Sequence, residues 1–388
     1  MNTLGVGLDY LMLEDNKVRG DVRQRQLDYA KSLDSLTLVV YSPKELNLQP
    51  QQWAANLWAY PTNSRSRMTF VSDAYKMAAK ICKERRIDAI TTEDPFTTGL
   101  VGYLLKIKFR IPLNVQAHID FVDNKYWMQL RGANRFFNIL GKFICNKADT
   151  IRVVASETKE SLEKRGIDPE KVSLISVHST LGHFAHSNDT GLREEFLKKE
   201  FDRILLFVGR LVDQKDIPNL FSAFKLILKK RPRTLLLVAG QGPKREYLEQ
   251  LAKKKCIDSN IIFTGSIAHS EIQRYYAASD IFVLPSIFEG RATVLVEAIL
   301  SRKPIVTTDV SGLKEWLIDN ETGFIVKRRD PKAFADKVIY LLDNPELAAS
   351  FGEKGYELAK NRLKEISDTS SMIKLWEKTA GMKIGDGR

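Results

Sequence analysis

The sequence contains few cysteines and no long uninterrupted hydrophobic run. Only three of its 388 residues are cysteine, at Cys82, Cys145 and Cys256, and they show no CxxC spacing. Three cysteines cannot all pair with one another, and reduced thiols are typical of cytosolic proteins. No apolar run approaches the roughly 18 residues of a membrane-spanning helix. The first residues lack the basic start and cleavage site of a secretory signal. These absences predict a cytoplasmic protein.

Metal-binding motifs are also missing. No Asp-x-Asp, no HExxH and no paired Cys/His cluster occurs in the sequence, which has only five histidines. A metal that bridges phosphate groups needs a set of carboxylate or imidazole ligands. We therefore expect neither a metal nor another cofactor, and the charge of any bound phosphate must be met by side-chain cations and helix N-termini.

The chain is long enough for two domains and carries a net charge of +12, which indicates anionic partners. Strand and helix patterns alternate in two successive series, separated by SNDTGLR at 187–193. Such alternation predicts parallel sheets with crossover helices. We predict an α/β protein of two Rossmann-like domains whose sheets face each other across a cleft, with domains at 1–190 and 191–367 and a C-terminal helix, 368–388, that packs back toward the first domain.

The elements of the first series follow from hydrophobic periodicity. The predicted strands are Leu4–Met12, Leu36–Tyr41, Asp88–Thr92, Pro112–Gln116, Thr150–Ala155 and Val172–Val177. The predicted helices are Asp21–Lys31, Val71–Arg86, Gly99–Lys108, Arg131–Lys147 and Glu157–Lys164.

The second series has six predicted strands and a clear first helix at Pro218–Lys230. The strands are Ile204–Val208, Leu235–Ala239, Ile261–Thr264, Ile281–Leu284, Ile305–Thr307 and Phe324–Val326. Ligands of such sheets lie at the carboxyl ends of the strands.

The most informative stretch is IFVLPSIFEGRATVLVEAILS, from Ile281 to Ser301. It reads as a strand buried on both faces, a short loop, and a helix that starts near Thr293. Glu289 in the loop and Glu297 about one turn into the helix are placed to reach one polyhydroxylated ligand across the helix N-terminus. A loop glutamate and a solvated helical glutamate are the simpler alternative.

Two loops that follow predicted strands carry further binding candidates. Gly209 ends a strand, and Arg210 and Lys215 follow it five residues apart. A planar guanidinium and a mobile ammonium together suit a diphosphate. Gly265, followed by Ser266, would let the backbone approach a flat ring such as a nucleobase. The simpler alternative for both loops is that their side chains are only solvated.

Six motifs of the second half occur in register: FVGRL with a lysine after it, LVAGQGP, FTGSI, SDIFVLPS followed by EG, VLVEA, and KPIVTTDVSG followed by TGFIV. In this order they resemble the nucleotide-binding domain of glycosyltransferase family 4, which comprises retaining sugar transferases of the GT-B type. The match is close from Ile204 to Leu342. In the first half, DPFTTGLVGYLLKIKFRIPLNVQAH and KADTIRVVAS resemble the family's acceptor domain.

The resemblance implies a role for each candidate. Glu289 would bind hydroxyls of the donor sugar, Glu297 would bind the ribose, and Arg210 and Lys215 would bind the diphosphate. His118, directly after a strand of the first domain, would face the transferred sugar. Backbone N–H groups of Gly290, Arg291, Ala292 and Thr293 would meet the sugar and phosphate. On the acceptor side, the residue types themselves predict that Gly20 and Asp21, after the first strand, supply a tight turn and an N-cap.

The chain departs from the family pattern at several positions. Arg291-Ala292-Thr293 stands where an aromatic and then a small residue are common. Asp216 stands where a glycine commonly follows the phosphate-binding lysine, and the paired glycines after the first strand are reduced to Gly20. None of these changes removes a proposed charged ligand.

The function implied is a retaining transfer of a hexose from a UDP- or GDP-sugar to a hydroxyl of a lipid-linked or cell-surface glycan, without metal, as in polysaccharide biosynthesis. No carboxylate is obviously placed as a nucleophile, so we expect front-face transfer. The alternatives are a GT-B epimerase or phosphorylase, although no pyridoxal lysine motif is found, and a basic nucleic-acid-binding protein. The pair Glu289 and Glu297 would repel a phosphate backbone, so no nucleic-acid partner is expected.

The segment Lys125–Lys147 is basic and aromatic and has no acidic residue. Such a segment is typical of a helix that lies on an anionic membrane surface. It is equally typical of a crossover helix whose apolar face packs on the sheet. A peripheral location at the inner face of the membrane therefore stays open.

Overall fold

The computed structural model describes residues 1–14, 22–175, 191–197, 200–268, 270–289, 293–310, 312–313, 315–366 and 369–382. The chain divides into two compact units. The first unit consists of Met1–Ser179 together with Ile366–Arg388, and the second consists of Thr180–Glu365.

Each unit is built on its own β-sheet. The strands of the first sheet are β1 (Asn2–Gly7), β2 (Ser35–Val40), β3 (Gln51–Ala54), β4 (Leu57–Pro61), β5 (Ala89–Thr92), β6 (Leu113–Ala117), β7 (Thr150–Val153) and β8 (Val172–Leu174). Those of the second sheet are β9 (Arg203–Val208), β10 (Thr234–Ala239), β11 (Ile261–Gly265), β12 (Ile281–Leu284), β13 (Ile305–Thr308) and β14 (Phe324–Val326).

Helices connect the strands. Those before the second sheet are α1 (Val22–Ala30), α2 (Arg67–Glu84), α3 (Thr97–Phe109), α4 (Lys125–Leu130), α5 (Ala133–Lys147), α6 (Ser156–Glu163) and α7 (Leu192–Leu197). The remaining helices are α8 (Ile217–Lys230), α9 (Arg245–Lys254), α10 (Ile272–Ala278), α11 (Thr293–Leu300), α12 (Pro331–Asp343), α13 (Pro345–Ile366) and α14 (Thr369–Thr379).

The second sheet has the strand order β11-β10-β9-β12-β13-β14, and all its neighbouring pairs are parallel. This is the order of a dinucleotide-binding fold, in which the direction of winding reverses between the first and fourth strands. Here these are β9 and β12. All four residues of β12 are buried, as expected for a strand covered on both faces.

The first sheet has the order β3-β4-β2-β1-β5-β6-β7-β8, and only β3 is antiparallel to its neighbour. Its winding reverses between β1 and β5. The C-terminal helix α14 belongs to this unit, where the ring of Trp376 meets that of Tyr29 edge-on at 5.1 Å between centroids. The hydroxyl groups of Thr379 and Thr150 share a hydrogen bond of 2.6 Å.

Two Rossmann-like units with parallel sheets confirm the predicted fold class, but the predicted elements of the first unit need corrections. The strand predicted at Leu4–Met12 ends at Gly7, because Asp9 accepts a hydrogen bond from the N–H group of Leu11 and starts a 3-10 helix at Tyr10–Leu13. The hairpin of β3 and β4 is absent from the prediction. β3 is a short edge strand with no fully buried residue, so it lacks the apolar run that marked the other strands.

The predicted basic segment Lys125–Lys147 forms two helices, α4 and α5, rather than one. Arg131 ends α4, and α5 begins at Ala133. Trp127 is buried and stacks on Phe96, with 5.4 Å between ring centroids, so this aromatic belongs to the core. No described helix combines the length and apolarity needed to cross a bilayer.

Candidate functional site

The carboxyl ends of β9 and β12 place a lysine and a glutamate in contact. Lys215 lies in the loop after β9, Glu289 lies in the loop after β12, and Lys215 Nζ is 2.7 Å from Glu289 Oε1. Both side chains are largely buried, with 12% and 7% of their surface exposed. Glu289 Oε1 also accepts a hydrogen bond from the Ser286 hydroxyl. The charged pair therefore lies where Rossmann-like sheets bind their ligands.

Two hydrogen bonds of Gln214, one from its side chain and one to its backbone, fix the two loops against each other. A 3-10 turn at Asp213–Lys215 places Gln214 beside the loop after β12. Gln214 donates its side-chain N–H to the carbonyl oxygen of Phe288 at 2.9 Å, and its own carbonyl accepts from the N–H of Ile287 at 2.9 Å. The separation of Lys215 and Glu289 is thus set by the loop backbones as well as by their charges.

Gly209 provides the space for the lysine. A Cβ atom at this position would lie 3.2 Å from Lys215 Cε, a tight contact that the lysine side chain would have to shift to relieve. Arg210, the next residue, is exposed; its carbonyl oxygen accepts a hydrogen bond from the N–H of Val212, whereas its guanidinium has no hydrogen-bond or ion-pair partner among the described residues. One of the two predicted phosphate ligands is therefore buried and fixed, whereas the other is free to reach toward a ligand.

Glu297 lies one turn into α11, and only 6% of its surface is exposed. The Tyr276 hydroxyl lies 2.9 Å from Glu297 Oε2 and 3.1 Å from the carbonyl oxygen of Val294. Burial raises the pKa of the Glu297 carboxyl group to about 7, although the hydrogen bond from Tyr276 lowers it. Burial and the nearby Glu297 raise the pKa of Tyr276 well above its ordinary value, so the tyrosine remains a donor.

The glycine-rich turn after β10 packs tightly against the loop after β9. A Cβ atom on Gly240 would lie 1.9 Å from the carbonyl oxygen of Gly209, and one on Gly242 would lie 2.4 Å from that of Leu211. Gly265 has a φ of +76° and accepts a hydrogen bond from the N–H of Gly240. Ser266 is exposed directly after it. Close backbone approach therefore requires Gly240 and Gly242, whereas the left-handed backbone conformation favours glycine at position 265.

The described part of α11 begins at Thr293, which is exposed, as predicted for the start of this helix. The predicted ligands Gly290, Arg291 and Ala292 lie outside the described residues, and so do Gly20 and Asp21. Within the described ranges, no three His, Cys, Asp or Glu side chains are grouped so that they could hold a metal ion.

In the first unit, His118 follows β6 and lines a small cavity at the carboxyl edge of the sheet. Glu93, which follows β5, lines the same cavity. Of these residues, His118 is predicted from the sequence, whereas Glu93 and Tyr276 are not. Glu93 follows a buried strand directly, a signal that could have identified it, whereas nothing in the sequence pairs Tyr276 with Glu297.

The arrangement in the second unit suits a ligand that carries both negative charge and hydroxyl groups. Lys215 and Arg210 supply cations for phosphate oxygens, and Glu289 and Glu297 supply carboxyl groups that accept hydrogen bonds from hydroxyls. A nucleoside diphosphate sugar combines these features, since it has a diphosphate between a ribose and a sugar.

Comparison with known families agrees with this chemistry. Residues 188–358 match the family described as glycosyl transferases group 1, and residues 27–176 match glycosyltransferase family 4. The two matches divide the chain as the two units do.

Two curated relatives are similar over most of the chain. Alpha-D-kanosaminyltransferase of Streptomyces kanamyceticus is 31% identical over 69% of this chain and 71% of the relative. Alpha-monoglucosyldiacylglycerol synthase of Streptococcus pneumoniae is 24% identical over 82% of this chain and 74% of the relative.

Solved structures share the whole fold. Sucrose-phosphate synthase of Thermosynechococcus elongatus superposes with a TM-score of 0.82 at 19% identity, covering 97% of this chain and 99% of that one. Anabaena HepE in complex with UDP-glucose gives a TM-score of 0.70 at 17% identity, covering 97% and 98%. The sequence relatives and the two-unit fold agree: the chain belongs to the GT-B glycosyltransferases of the family 4, group 1 type.

Proposed function

We propose that this glycosyltransferase moves a hexose from a nucleoside diphosphate sugar to a hydroxyl of a lipid-linked or cell-surface glycan, with retention of the anomeric configuration and without a metal. The observation that carries the proposal is the buried ion pair of Lys215 and Glu289 at the point where the second sheet reverses its winding. Such pairs cost desolvation energy, so a cation and a carboxylate fixed there indicate a ligand that uses both.

The donor diphosphate would bind between Lys215 and Arg210. The Lys215 ammonium has three N–H donors, so it can keep its contact with Glu289 and also donate to a phosphate oxygen. Arg210 adds a planar fork from an exposed position. Both charges then face the oxygen on which negative charge grows as the sugar–phosphate bond breaks.

Glu289 would accept hydrogen bonds from hydroxyls of the donor sugar, and Glu297 would accept from the ribose. Because Glu297 is held by Tyr276, its free carboxylate oxygen has a defined direction. In front-face transfer the acceptor hydroxyl attacks from the side on which the phosphate leaves, and the departing phosphate oxygen takes the acceptor's proton. The bond to the phosphate breaks and the bond to the acceptor oxygen forms on the same face, so configuration is kept.

The donor is tested by thermal denaturation in the presence of UDP-, GDP- and ADP-hexoses, because a ligand that binds only the native state raises its melting temperature. We test UDP-glucose first, since Anabaena HepE has been solved with that molecule. The anomeric proton coupling of the product, measured by NMR, then reports retention. EDTA should leave turnover unchanged. Loss of turnover on chelation that magnesium or manganese restores would contradict the metal-free scheme.

We also propose that the first unit contacts an anionic membrane through an apolar face formed by Leu104, Ile107, Phe136, Ile139 and Phe143. These residues lie on α3 and α5, and Ile107, Phe136 and Ile139 are 59%, 63% and 66% exposed. The rings of Tyr103 and Phe143, 5.2 Å apart, join the two helices. Neither helix contains an acidic residue, while both carry lysines. Lys106 and Lys142 pair with Asp149 and Asp123, which leaves Lys108 and Lys147 as the lysines of these helices outside an ion pair among the described residues. An apolar patch on helices that carry lysines and no acidic residue is complementary to an anionic bilayer.

Vesicle sedimentation tests this face. Wild type should co-sediment with phosphatidylglycerol vesicles, release in salt, and bind phosphatidylcholine vesicles poorly. Phe136→Ser combined with Ile139→Ser should abolish sedimentation. Met68→Ser is the matched control, because Met68 is 89% exposed but lies on α2, outside the face. Equal binding to both kinds of vesicle, or an effect of Met68→Ser as large as that of the double variant, would refute the proposed face.

A further inference from the structure

The first unit contains a polar cavity at the point where its own sheet reverses its winding. The cavity has a volume of about 50 Å³, and its lining includes Gly7 at the end of β1, Glu93 after β5 and His118 after β6. These three residues stand at the carboxyl edge, where parallel sheets bind ligands. The volume admits a few water-sized groups rather than a sugar ring.

The carboxyl group of Glu93 is held at this edge by the end of β1. Glu93 Oε2 accepts a hydrogen bond from the N–H of Leu8 at 2.7 Å. A Cβ atom on Gly7 would lie 2.9 Å from both the carboxyl carbon and Oε1 of Glu93. Only a residue without a side chain at position 7 therefore leaves room for the carboxyl group. Glu93 is only partly buried, so a ligand can contact it.

The lining of the cavity also contains buried polar groups that need a polar occupant. The Tyr29 hydroxyl and the Trp376 Nε1–H are buried and have no hydrogen-bond partner among the described residues. Both side chains are at most 3% exposed. Buried donors without partners are costly, so water or hydroxyl groups are the occupants that suit them. Gln116 cannot turn toward them freely, because it accepts from Arg152 Nη1 at 2.6 Å and donates to Thr91 Oγ1 at 3.1 Å.

We propose that the cavity shared by Glu93 and His118 receives a hydroxyl-bearing end of the acceptor, and that Glu93 binds an acceptor hydroxyl as a hydrogen-bond acceptor. The ligand class is a polyhydroxylated acceptor, such as a sugar or polyol, because every polar lining group can exchange hydrogen bonds with hydroxyls. This inference rests on the proposed function. It assigns the acceptor to this cavity in the first unit, whereas the donor is assigned to the second.

The charges around Glu93 shift its pKa, and this shift predicts how the use of the acceptor changes with pH. The pKa of its carboxyl group is raised to about 7, chiefly by burial and in smaller part by the carboxylates of Asp9 and Asp94, against the lowering effect of the Leu8 N–H and the guanidinium of Arg25. His118 and Arg152 also line the cavity. Because an ionised carboxylate accepts hydrogen bonds more strongly than a neutral acid, acceptor use should increase as the pH rises through about 7.

The test uses the full chain, the donor selected by thermal stabilisation, and glycerol as a hydroxyl probe, with water as the minimal acceptor. Glu93→Gln keeps the shape of the side chain and an oxygen for the Leu8 N–H. We expect it to lower transfer to glycerol and donor hydrolysis by about 10-fold or more, as for loss of a charged hydrogen bond at a reacting group, with the dissociation constant for the nucleotide unchanged within about twofold. The rise in rate near pH 7 should also disappear.

Two further variants separate a role in acceptor binding from a structural one. Gly7→Ala should displace the Glu93 carboxyl group and reproduce the loss of transfer while nucleotide affinity is kept. Glu84→Gln, which changes an exposed carboxylate at the end of α2, should leave both the transfer to glycerol and the nucleotide affinity unchanged. Full transfer activity of Glu93→Gln, or a uniform loss with the pH profile unaltered, would overturn the inference. Failure of wild type to bind or use any nucleotide sugar would instead refute the proposed function, and the inference with it.

Discussion

Lys215 Nζ and Glu289 Oε1 are 2.7 Å apart at the carboxyl edge of the second sheet, and both side chains are largely withdrawn from water. Because Lys215 lies after β9 and Glu289 after β12, the pair spans the two strands between which the winding reverses. The pair links two predicted ligands whose positions in the sequence are 74 residues apart. Both Lys215 and Arg210 are assigned to the diphosphate, but only Lys215 belongs to this ion pair. We therefore expect substitutions of the two residues to have different effects.

Lys215→Ala should lower both turnover and stability, whereas Arg210→Ala should lower turnover alone. Removing the lysine leaves the buried Glu289 carboxylate without its cation, which typically costs about 3–5 kcal/mol. Arg210 is exposed, so its loss leaves the fold intact. Each loss should reduce turnover by about 10²–10³ and raise the Michaelis constant for the donor much less, since the charge on the departing oxygen is greatest in the transition state.

Steady-state kinetics and thermal denaturation of both variants check this prediction. Lys215→Arg should restore little turnover, because a planar fork does not replace a compact ammonium at close range. If an alanine variant shows a higher Michaelis constant for the donor but normal turnover, the substituted residue only binds the donor. The N–H groups at the start of α11 would then be the first candidates for stabilising the leaving group.

Glu297→Gln should stabilise the chain increasingly as the pH rises from about 4.5 to about 7. Burial raises the pKa of Glu297 from 4.5 to about 7, so in this range the unfolded state is ionised while the folded state remains neutral. Stability contributed by the neutral acid is complete below pH 4.5 and is lost as the pH rises through 7. The shift corresponds to about 3 kcal/mol, and the amide removes this cost.

Thermal melts of Glu297→Gln and wild type at intervals between pH 4 and pH 8.5 measure the effect. Glu246→Gln, which changes an exposed carboxylate on α9, is the control. A constant difference between the Glu297→Gln and wild-type curves across this pH range would show that ionisation of Glu297 does not limit stability.

Asp216→Gly should raise stability by about 1 kcal/mol. Asp216 has φ +44° and ψ +42°, in the left-handed region that favours glycine, and its side chain makes no capping hydrogen bond to α8. Asp216→Ala keeps the strain and removes the polar side chain, so it should be less stable than the glycine variant. Denaturant unfolding of wild type, Asp216→Gly and Asp216→Ala gives the order of their stabilities. An alanine variant at least as stable as the glycine variant would exclude backbone strain as the cause.

Much of the second unit could be predicted from the sequence because its strands are short and largely apolar, and four of them, β9 to β12, end at or directly before Gly or Pro. The limits of β12 and β14 agree with the prediction, and those of β9, β10, β11 and β13 differ by one residue at one end. The start of α11 at Thr293 was also predicted. In doubly wound sheets the strand ends carry the ligands, so placing the strands correctly also placed Lys215 and Glu289.

The features that could not be predicted depend on tertiary packing, which cannot be inferred from hydrophobic periodicity. β3 is a strand only because it pairs with β4 at the sheet edge. Tyr276 contacts Glu297 because α10 and α11 bring them together across 21 residues. Trp127 fits an amphipathic surface pattern, yet it stacks in the core on Phe96. In each case the structural role of the strand or side chain is determined by the element that it packs against rather than by the local sequence.

Calorimetric titration of UDP, GDP and ADP into wild type, Glu297→Ala and Tyr276→Phe tests the central claim most directly. One nucleotide should bind wild type, and Glu297→Ala should weaken its binding at least about tenfold, because the hydrogen bond between the carboxyl group and the ribose is lost. Tyr276→Phe should weaken it less, since only the orientation of Glu297 is relaxed. If no nucleotide binds wild type, or if Glu297→Ala binds as tightly as wild type, the donor site is not where the Lys215–Glu289 pair and Glu297 place it.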